Sequence, residues 1–274
     1  MAEMESGGRP LTLEVLVAAL QENEITLAEH MNLSTEAVIC NQCQEDSYQE
    51  FNRGGRKIRV YCFSDRGVGR NRNNALLRAK ADLVLFGDED IIYDDDYEEK
   101  VLSAFQAHPD ADILMFNVMA VESRRTYENH QIRRVRWYNY GRYPTYAMCC
   151  RLESLQRANV WFSLLFGGGA KYSNGEDSLF LHDCLKKGLK IYSVTESIGH
   201  EKERADGEST WFHGYNKKFF YDRGVLYHAL YGLMERPFAL RWLIANRSTM
   251  CRETGVLQAY RWMVQGIRDA RNGK

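Results

Sequence analysis

"LVLFGDEDIIYDDDYEE", residues 83–99, ends an apolar run on Asp88-Glu89-Asp90 and sets three more aspartates, Asp94 to Asp96, just beyond it. Carboxylates this dense repel one another, so at least one cluster should have a cationic partner or a structural duty. Asp94-Asp95-Asp96 stands directly before "YEEKVLSAF", whose Tyr97, Val101, Leu102 and Phe105 share a helical face. Aspartates at a helix start are expected to cap free N–H groups and complement the dipole. Asp88-Glu89-Asp90 follows an apolar strand, at the carboxyl-end rim where open α/β sheets bind ligands. A D-x-D there suits a hard divalent cation held through oxygen, with positions left for water and phosphate oxygens.

Outward from this stretch the pattern alternates. "LEVLVAAL" (13–20), "EAVICN" (36–41) and "KIRVYCF" (57–63) read as strands, and "ITLAEHMNL" (25–33) as a short helix. "GVGRNRNNALLRAKA" carries Ala75, Leu76 and Ala79 on one helical face, and "DADILMFNVMAV" (110–121) follows the helix after Asp96. Strand and helix taking turns predict an α/β fold, a mainly parallel sheet flanked by helices with ligands beyond the strand carboxyl ends. The aromatic and basic segment after residue 121 is irregular; a Gly-rich turn, a helix from about Glu176 and a strand at 189–194 restore the pattern. Beyond Thr210 everything reads as helix, the last with an apolar stripe of Leu257, Tyr260, Val264 and Ile267.

Composition narrows the class. The chain has 274 residues and no Pro/Gly/Ser-rich linker, as expected of one sizeable core with a helical C-terminal extension. Its apolar runs fall far short of the roughly 18 to 20 residues that a membrane span needs. The start, "MAEMESGGRP", lacks the features of a secretory signal, and seven cysteines fit free thiols in a reducing compartment. A cytoplasmic protein is the expectation. Cys40 and Cys43 form a C-x-x-C, but no second such pair or suitably spaced His pair completes a tetrahedral zinc site, so both read as ordinary thiols. Net charge is −1, yet residues 211–274 carry eleven Lys and Arg against four Asp and Glu. A basic tail on an acidic body suggests an anionic neighbour, such as membrane headgroups, or else simply solvated helix faces. No base-reading motif argues for nucleic acid.

The order "GVGRNRNNALLRAKADLVLFGDED" and then "SNGEDSLFLHDCLKKG" resembles the family-2 glycosyltransferases of GT-A fold, bacterial surface-glycan type, over about residues 12–200. That resemblance implies a Rossmann-like GT-A domain at 11–210, preceded by a disordered stretch at 1–10 and followed by a basic helical extension at 211–274 packed on the same domain. It also implies a metal-dependent, inverting transfer of a sugar from a nucleotide-diphosphate donor, UDP being expected, to a glycan or lipid-linked acceptor. Asp88 would contact ribose or sugar, and Asp90 would ligate Mg²⁺ or Mn²⁺, with His200 as a further ligand. Arg72 would seat the base, and Asp177 would be the catalytic base, with Glu176 shaping the acceptor pocket. Each has a plainer alternative: Arg72 and Glu176 as helix-start residues, His200 as an ordinary loop histidine.

The chemistry needs these groups. Charge develops on the β-phosphate as the sugar leaves, and the acceptor hydroxyl must lose a proton to a carboxylate within hydrogen-bond reach. Lys202 and Arg204, in the polar stretch "GHEKERADGESTWF", would neutralise the diphosphate. Trp211, or one of Trp137, Tyr138, Tyr140 and Tyr143, would stack on a sugar ring. The family usually opens with a Pro-Thr-Tyr-Asn-like loop and ends its second strand in aspartates, where this chain has "LVAALQENE" and "CNQC". Asn41 or Gln42 would then read the base through amide hydrogen bonds.

Three rivals remain. A dehalogenase-type phosphatase needs its D-x-D on an early strand, and a sugar nucleotidyltransferase needs a basic Gly-rich loop after the first strand; neither feature is present. A GT-A-like scaffold that has abandoned catalysis is the alternative outside enzymology, and it would have no use for a metal ligand and a base together.

Overall fold

The computed structural model describes residues 9–120, 128–202 and 214–273. The chain divides into two compact units: residues 1–65, 71–160 and 184–202 in one, and 66–70, 161–183 and 203–274 in the other.

The first unit is built on a single sheet. Its strands are β1 (Leu13–Leu20), β2 (Glu36–Gln42), β3 (Ser47–Arg53), β4 (Arg56–Phe63), β5 (Leu83–Asp88), β6 (Ile91–Tyr93), β7 (Ile113–Met119), β8 (Arg133–Arg134), β9 (Met148–Arg151) and β10 (Ile191–Glu201). They run in the order β3-β4-β2-β1-β5-β9-β7-β10-β6, with β8 on β10. The β4-β2-β1-β5 block is parallel, and so is the β7-β10 pair. Leu13 to Ala19 are buried without a break, as expected of a parallel strand covered on both faces, which is why an apolar run rather than alternation marks it. One charge lies inside that run: Glu14 pairs with the Arg59 guanidinium from β4 and accepts from the Lys80 N–H at 2.9 Å. Both side chains are buried, so neither could be removed alone without stranding the other's charge.

Helices α1 (Glu24–His30), α2 (Val68–Leu76), α3 (Tyr97–Ala107), α4 (Leu152–Ala158) and α5 (Glu176–Lys186) interleave with the strands. Asn23 caps α1, its Oδ1 accepting the Thr26 N–H at 3.1 Å. The aspartates before α3 behave differently from the expectation. Asp96 takes the N-cap position without a side-chain cap bond. Instead Lys100 gathers Asp94 at 2.9 Å and Asp96 at 2.8 Å, while Asp95 accepts from the Asn32 amide at 2.8 Å. Ion pairing with the cation one turn on disperses the cluster's repulsion, and the Tyr97 N–H donates to the Asp94 carbonyl at 3.2 Å.

Several elements differ from the sequence expectation. β3, "SYQEFNR", is mostly exposed and polar, and it joins β4 through Gly54-Gly55, both at positive φ, as a tight hairpin turn demands. The segment expected to be irregular supplies β9, which inserts antiparallel between β5 and β7.

The second unit contains α6 (Lys217–Tyr231), α7 (Glu235–Ala245), α8 (Arg247–Met250) and α9 (Val256–Arg271) around Phe219, Phe220, Tyr227, Leu243, Met263 and Ile267. The expected α9 stripe is corrected in part: Ile267 is buried and Tyr260 packs partly buried on the core, but Leu257 is exposed and the buried face is completed by Ala259, Met263 and Gly266. The reason is close backbone approach. A Cβ on Gly224 of α6 would lie 2.1 Å from the Met263 carbonyl oxygen, and one on Gly266 would lie 2.2 Å from that of Tyr221. Small residues therefore set how closely α6 and α9 approach, with Met263 and Ile267 buried on the same face. Among the described residues no helix is long and apolar enough to cross a membrane.

Candidate active site

Asp88 is the last residue of β5, level with Ala18 of β1. Gly87 before it is obligatory in this packing, since a Cβ there would lie 2.6 Å from the hydroxyl of fully buried Tyr93. Arg72, buried on α2, reaches across to Asp88: its Nη2 donates to Oδ1 at 2.8 Å and to Oδ2 at 3.1 Å. The two residues expected to share the donor thus meet. The arginine fixes one carboxylate at the strand end and relieves its repulsion with its neighbours.

Glu89 turns back and accepts the Leu20 N–H at 2.6 Å, tying the strand end of β1 to the acidic turn. Its role is therefore to shape the rim. Asp90 sits before β6, and its carbonyl accepts the Lys202 N–H at 2.7 Å. β6 and β10 run antiparallel there, with His200 opposite Ile92 and Glu201 opposite Ile91. His200, Lys202 and Asp90 consequently lie at one corner of the sheet, and the His200 and Lys202 side chains are exposed. Gly199 permits the approach, because a Cβ there would lie 2.4 Å from the Ile92 carbonyl oxygen.

Asn41 and Gln42 end β2, and both are buried. The Asn41 amide is engaged locally: Nδ2 donates to the Glu22 carbonyl and to Glu24 Oε1, both at 2.7 Å, and Oδ1 accepts the Glu22 N–H at 3.3 Å. It clamps the β1–α1 connection. Asn71, one residue before the arginine, stitches the same rim, donating to the carbonyls of Ala19 at 3.3 Å and Cys40 at 2.7 Å. Of the four aromatics between residues 137 and 143, Tyr140 and Tyr143 are buried in the core, whereas Trp137 and Tyr138 are exposed. Arg204 and Trp211 lie outside the described residues.

Glu176 and Asp177 belong to the second unit, in the first turn of α5, where a helix N-terminus favours ionised carboxylates. The glycines before them are structural requirements. Gly167, at φ +105, backs onto Glu176, so a Cβ there would lie 2.8 Å from its carboxyl carbon; Gly175, at φ +114, presses on Leu226. The loop is tied rather than loose, with Val68 N–H donating to the Gly168 carbonyl and Gly167 N–H to that of Tyr172, both at 2.9 Å. Asp222 completes the support. This buried carboxylate on α6 accepts the Ser173 N–H and hydroxyl, each at 2.9 Å, and Lys218 Nζ at 2.6 Å. Sequence reasoning missed it, and the only trace was an aspartate four residues after a lysine in a mostly apolar helix.

A divalent cation fits the chemistry of the rim. Asp90 and Asp88 offer hard oxygens at an open edge, and such a cation takes its remaining ligands from phosphate and water. Asp88, Asp90 and His200 do not converge on one point, however. Among the described residues the group of three whose ligand atoms lie within 4.8 Å of one another is Glu24, Cys43 and Cys62.

The sequence profile described as "Glycosyl transferase family 2" matches residues 10–158. This chain belongs to glycosyltransferase family 2. The match contains Asn41, Gln42, Arg72, Asp88 and Asp90, and it ends before Glu176, Asp177, His200 and Lys202. Among solved structures, residues 1–349 of TarS from S. aureus in complex with UDP-GlcNAc superpose with a TM-score of 0.62 at 16% identity, over 89% of this chain and 74% of that one. The same TarS segment in complex with UDP gives 0.59 at 13% identity, again over 89% and 74%. A longer TarS structure gives 0.59 at 15% identity over 87% of this chain and 44% of that one. At such identities the likeness speaks to fold, and it gives this family-2 glycosyltransferase the GT-A architecture with its helical C-terminal region. No curated protein matches the chain.

Proposed function

We propose that this glycosyltransferase moves a sugar from a UDP-linked donor to a hydroxyl of a glycan or lipid-linked acceptor, with inversion at the sugar and dependence on Mn²⁺ or Mg²⁺. The observation that carries the reading is the Arg72–Asp88 pair at the carboxyl end of β5, with Asp90 two residues on. Asp88, oriented by Arg72, is assigned the ribose or sugar hydroxyls. Asp90 is the residue that would hold the cation, with His200 as a further ligand that would have to close on it, and the bound cation would stabilise charge developing on the β-phosphate. Gln42 and Asn41 border the base, Asn41 by shaping the β1–α1 turn. Lys202 supplies positive charge for the diphosphate, as does Arg204, and Trp211 is assigned to the sugar ring. Asp177 takes the acceptor proton, and Glu176 shapes the acceptor pocket. UDP as the nucleotide draws support from the fold relative whose structure holds UDP-GlcNAc.

The test is a calorimetric titration of the purified protein with UDP, with and without Mn²⁺. Binding that requires the cation is the expected result; no binding under any metal condition would leave the non-catalytic scaffold as the better reading.

The same reading places the protein in the cytoplasm, on the inner face of a membrane. Leu233, Met234, Leu240, Ile244 and Leu257 are exposed on the second unit, whose helices also carry Arg236, Arg241 and Arg247. Apolar side chains interspersed with arginines suit an anionic lipid surface. In liposome flotation the protein should rise with anionic vesicles at low salt and release at high salt. Equal behaviour with neutral vesicles would remove the electrostatic part, and failure to float would remove the membrane.

A further inference from the structure

The sequence offers Cys40-x-x-Cys43 as its only C-x-x-C, and the fold separates the two thiols. Cys40 is fully buried within β2, whereas Cys43 emerges past the strand end, half-buried. What Cys43 meets instead comes from two other elements. β2 and β4 are parallel neighbours with Asn41 level with Cys62, and the Cys43 N–H donates to the Phe63 carbonyl at 2.8 Å. The Asn23 cap places Glu24 in the first turn of α1, facing the same point. One ligand atom from each of Glu24, Cys43 and Cys62 falls within 4.8 Å of the others.

We propose that Glu24, Cys43 and Cys62 form a binding site for a thiophilic divalent cation of the zinc class. Two sulfurs and a carboxylate are a borderline-soft donor set that prefers Zn²⁺ or Cd²⁺ to Mg²⁺ or Mn²⁺. Tetrahedral coordination with Zn–S near 2.3 Å puts neighbouring ligand atoms roughly 3.5 to 3.8 Å apart, so closure needs movements of about an ångström. Glu24 and Cys43 are only partly buried, which leaves the fourth position open to water.

The surroundings support the carboxylate as a ligand. Asn41 Nδ2 donates to Glu24 Oε1 at 2.7 Å and Gln49 Nε2 to Oε2 at 3.3 Å, so the group is oriented from outside the triad. The Cys62 thiol donates to the same Oε1 at 3.1 Å, so sulfur and carboxylate are already in contact. A cation would displace that proton, so binding should strengthen as pH rises. The site does not depend on the proposed donor chemistry: it uses no residue assigned to the cation at Asp90.

The experiment titrates reduced, metal-stripped, full-length protein with Cd²⁺, read by the thiolate-to-metal ultraviolet band, and with Zn²⁺ by calorimetry. One equivalent per chain with the thiolate band is expected, tightening from about pH 6 to about pH 8. Cys43→Ser, at a half-exposed position, should abolish the band and weaken Zn²⁺ by at least about tenfold. Glu24→Gln, the second variant, should weaken Zn²⁺ by about tenfold and keep the band. Asp90→Ala should leave both titrations unchanged. Circular dichroism establishes that each variant is folded. A folded wild type with no thiolate band overturns the proposal. So does undiminished Zn²⁺ binding in Cys43→Ser, or binding lost in Asp90→Ala, which would put the cation at the other rim.

Discussion

Asp90→Ala is expected to lower the rate of sugar transfer about 10³-fold and to abolish Mn²⁺-dependent UDP binding. The β6–β10 corner keeps its main-chain bond in that variant, since the Asp90 carbonyl accepts the Lys202 N–H at 2.7 Å whatever the side chain. Asp88→Ala should also cost stability. It removes the carboxylate that meets Arg72, a side chain only 5% exposed, so stability should fall by about 1–3 kcal/mol along with activity. Urea unfolding of Asp88→Ala beside a transfer assay of both variants checks these outcomes. An Asp90→Ala enzyme that retained most of its metal-dependent activity would remove the residue from cation binding, and a transfer rate indifferent to chelators would remove the cation itself.

The parts of this rim that sequence conveyed are those governed by continuous burial and by spacing along one chain segment. β1, β2 and β5 announce themselves as apolar runs because both faces of a parallel strand are covered, and Asp88 and Asp90 follow directly from where β5 stops. The missing parts are those set by partners distant in sequence. β3 carries little apolar signal because it is an exposed edge strand, and its register is supplied by β4 across a two-glycine turn. The Asn41 amide looked available for a base and is largely committed to the turn at Glu22 and Glu24. The Glu24–Cys43–Cys62 cluster escaped for the same reason, since its ligands stand on α1, after β2 and on β4, with no fixed spacing to betray them. The α9 face was read only in part, Ile267 rightly and Leu257 wrongly, because large apolar residues were counted, whereas Gly224 and Gly266 decide how α9 approaches α6.

Asp177→Asn should reduce kcat by about 10²- to 10⁴-fold while UDP affinity in the presence of Mn²⁺ stays at the wild-type level. The replacement is nearly isosteric, and in the proposed role it removes the capacity to accept the acceptor's proton. The position is suited to a base: the first turn of α5 favours the ionised carboxylate, and the turn before it is latched by Asp222 through Ser173. A purely structural role for Asp177 predicts another outcome, lower stability with kcat and KM both disturbed. Asp222→Ala supplies that comparison directly, because it leaves the Ser173 N–H and the Lys218 ammonium without their shared carboxylate. It should cost about 1–3 kcal/mol and lower transfer through misplacement of α5, not through loss of a base. A steady-state assay with saturating donor and varied acceptor, read beside unfolding curves, distinguishes the two. If Asp177→Asn kept more than about a third of the wild-type kcat, well above what loss of a general base leaves, another group would have to take the proton.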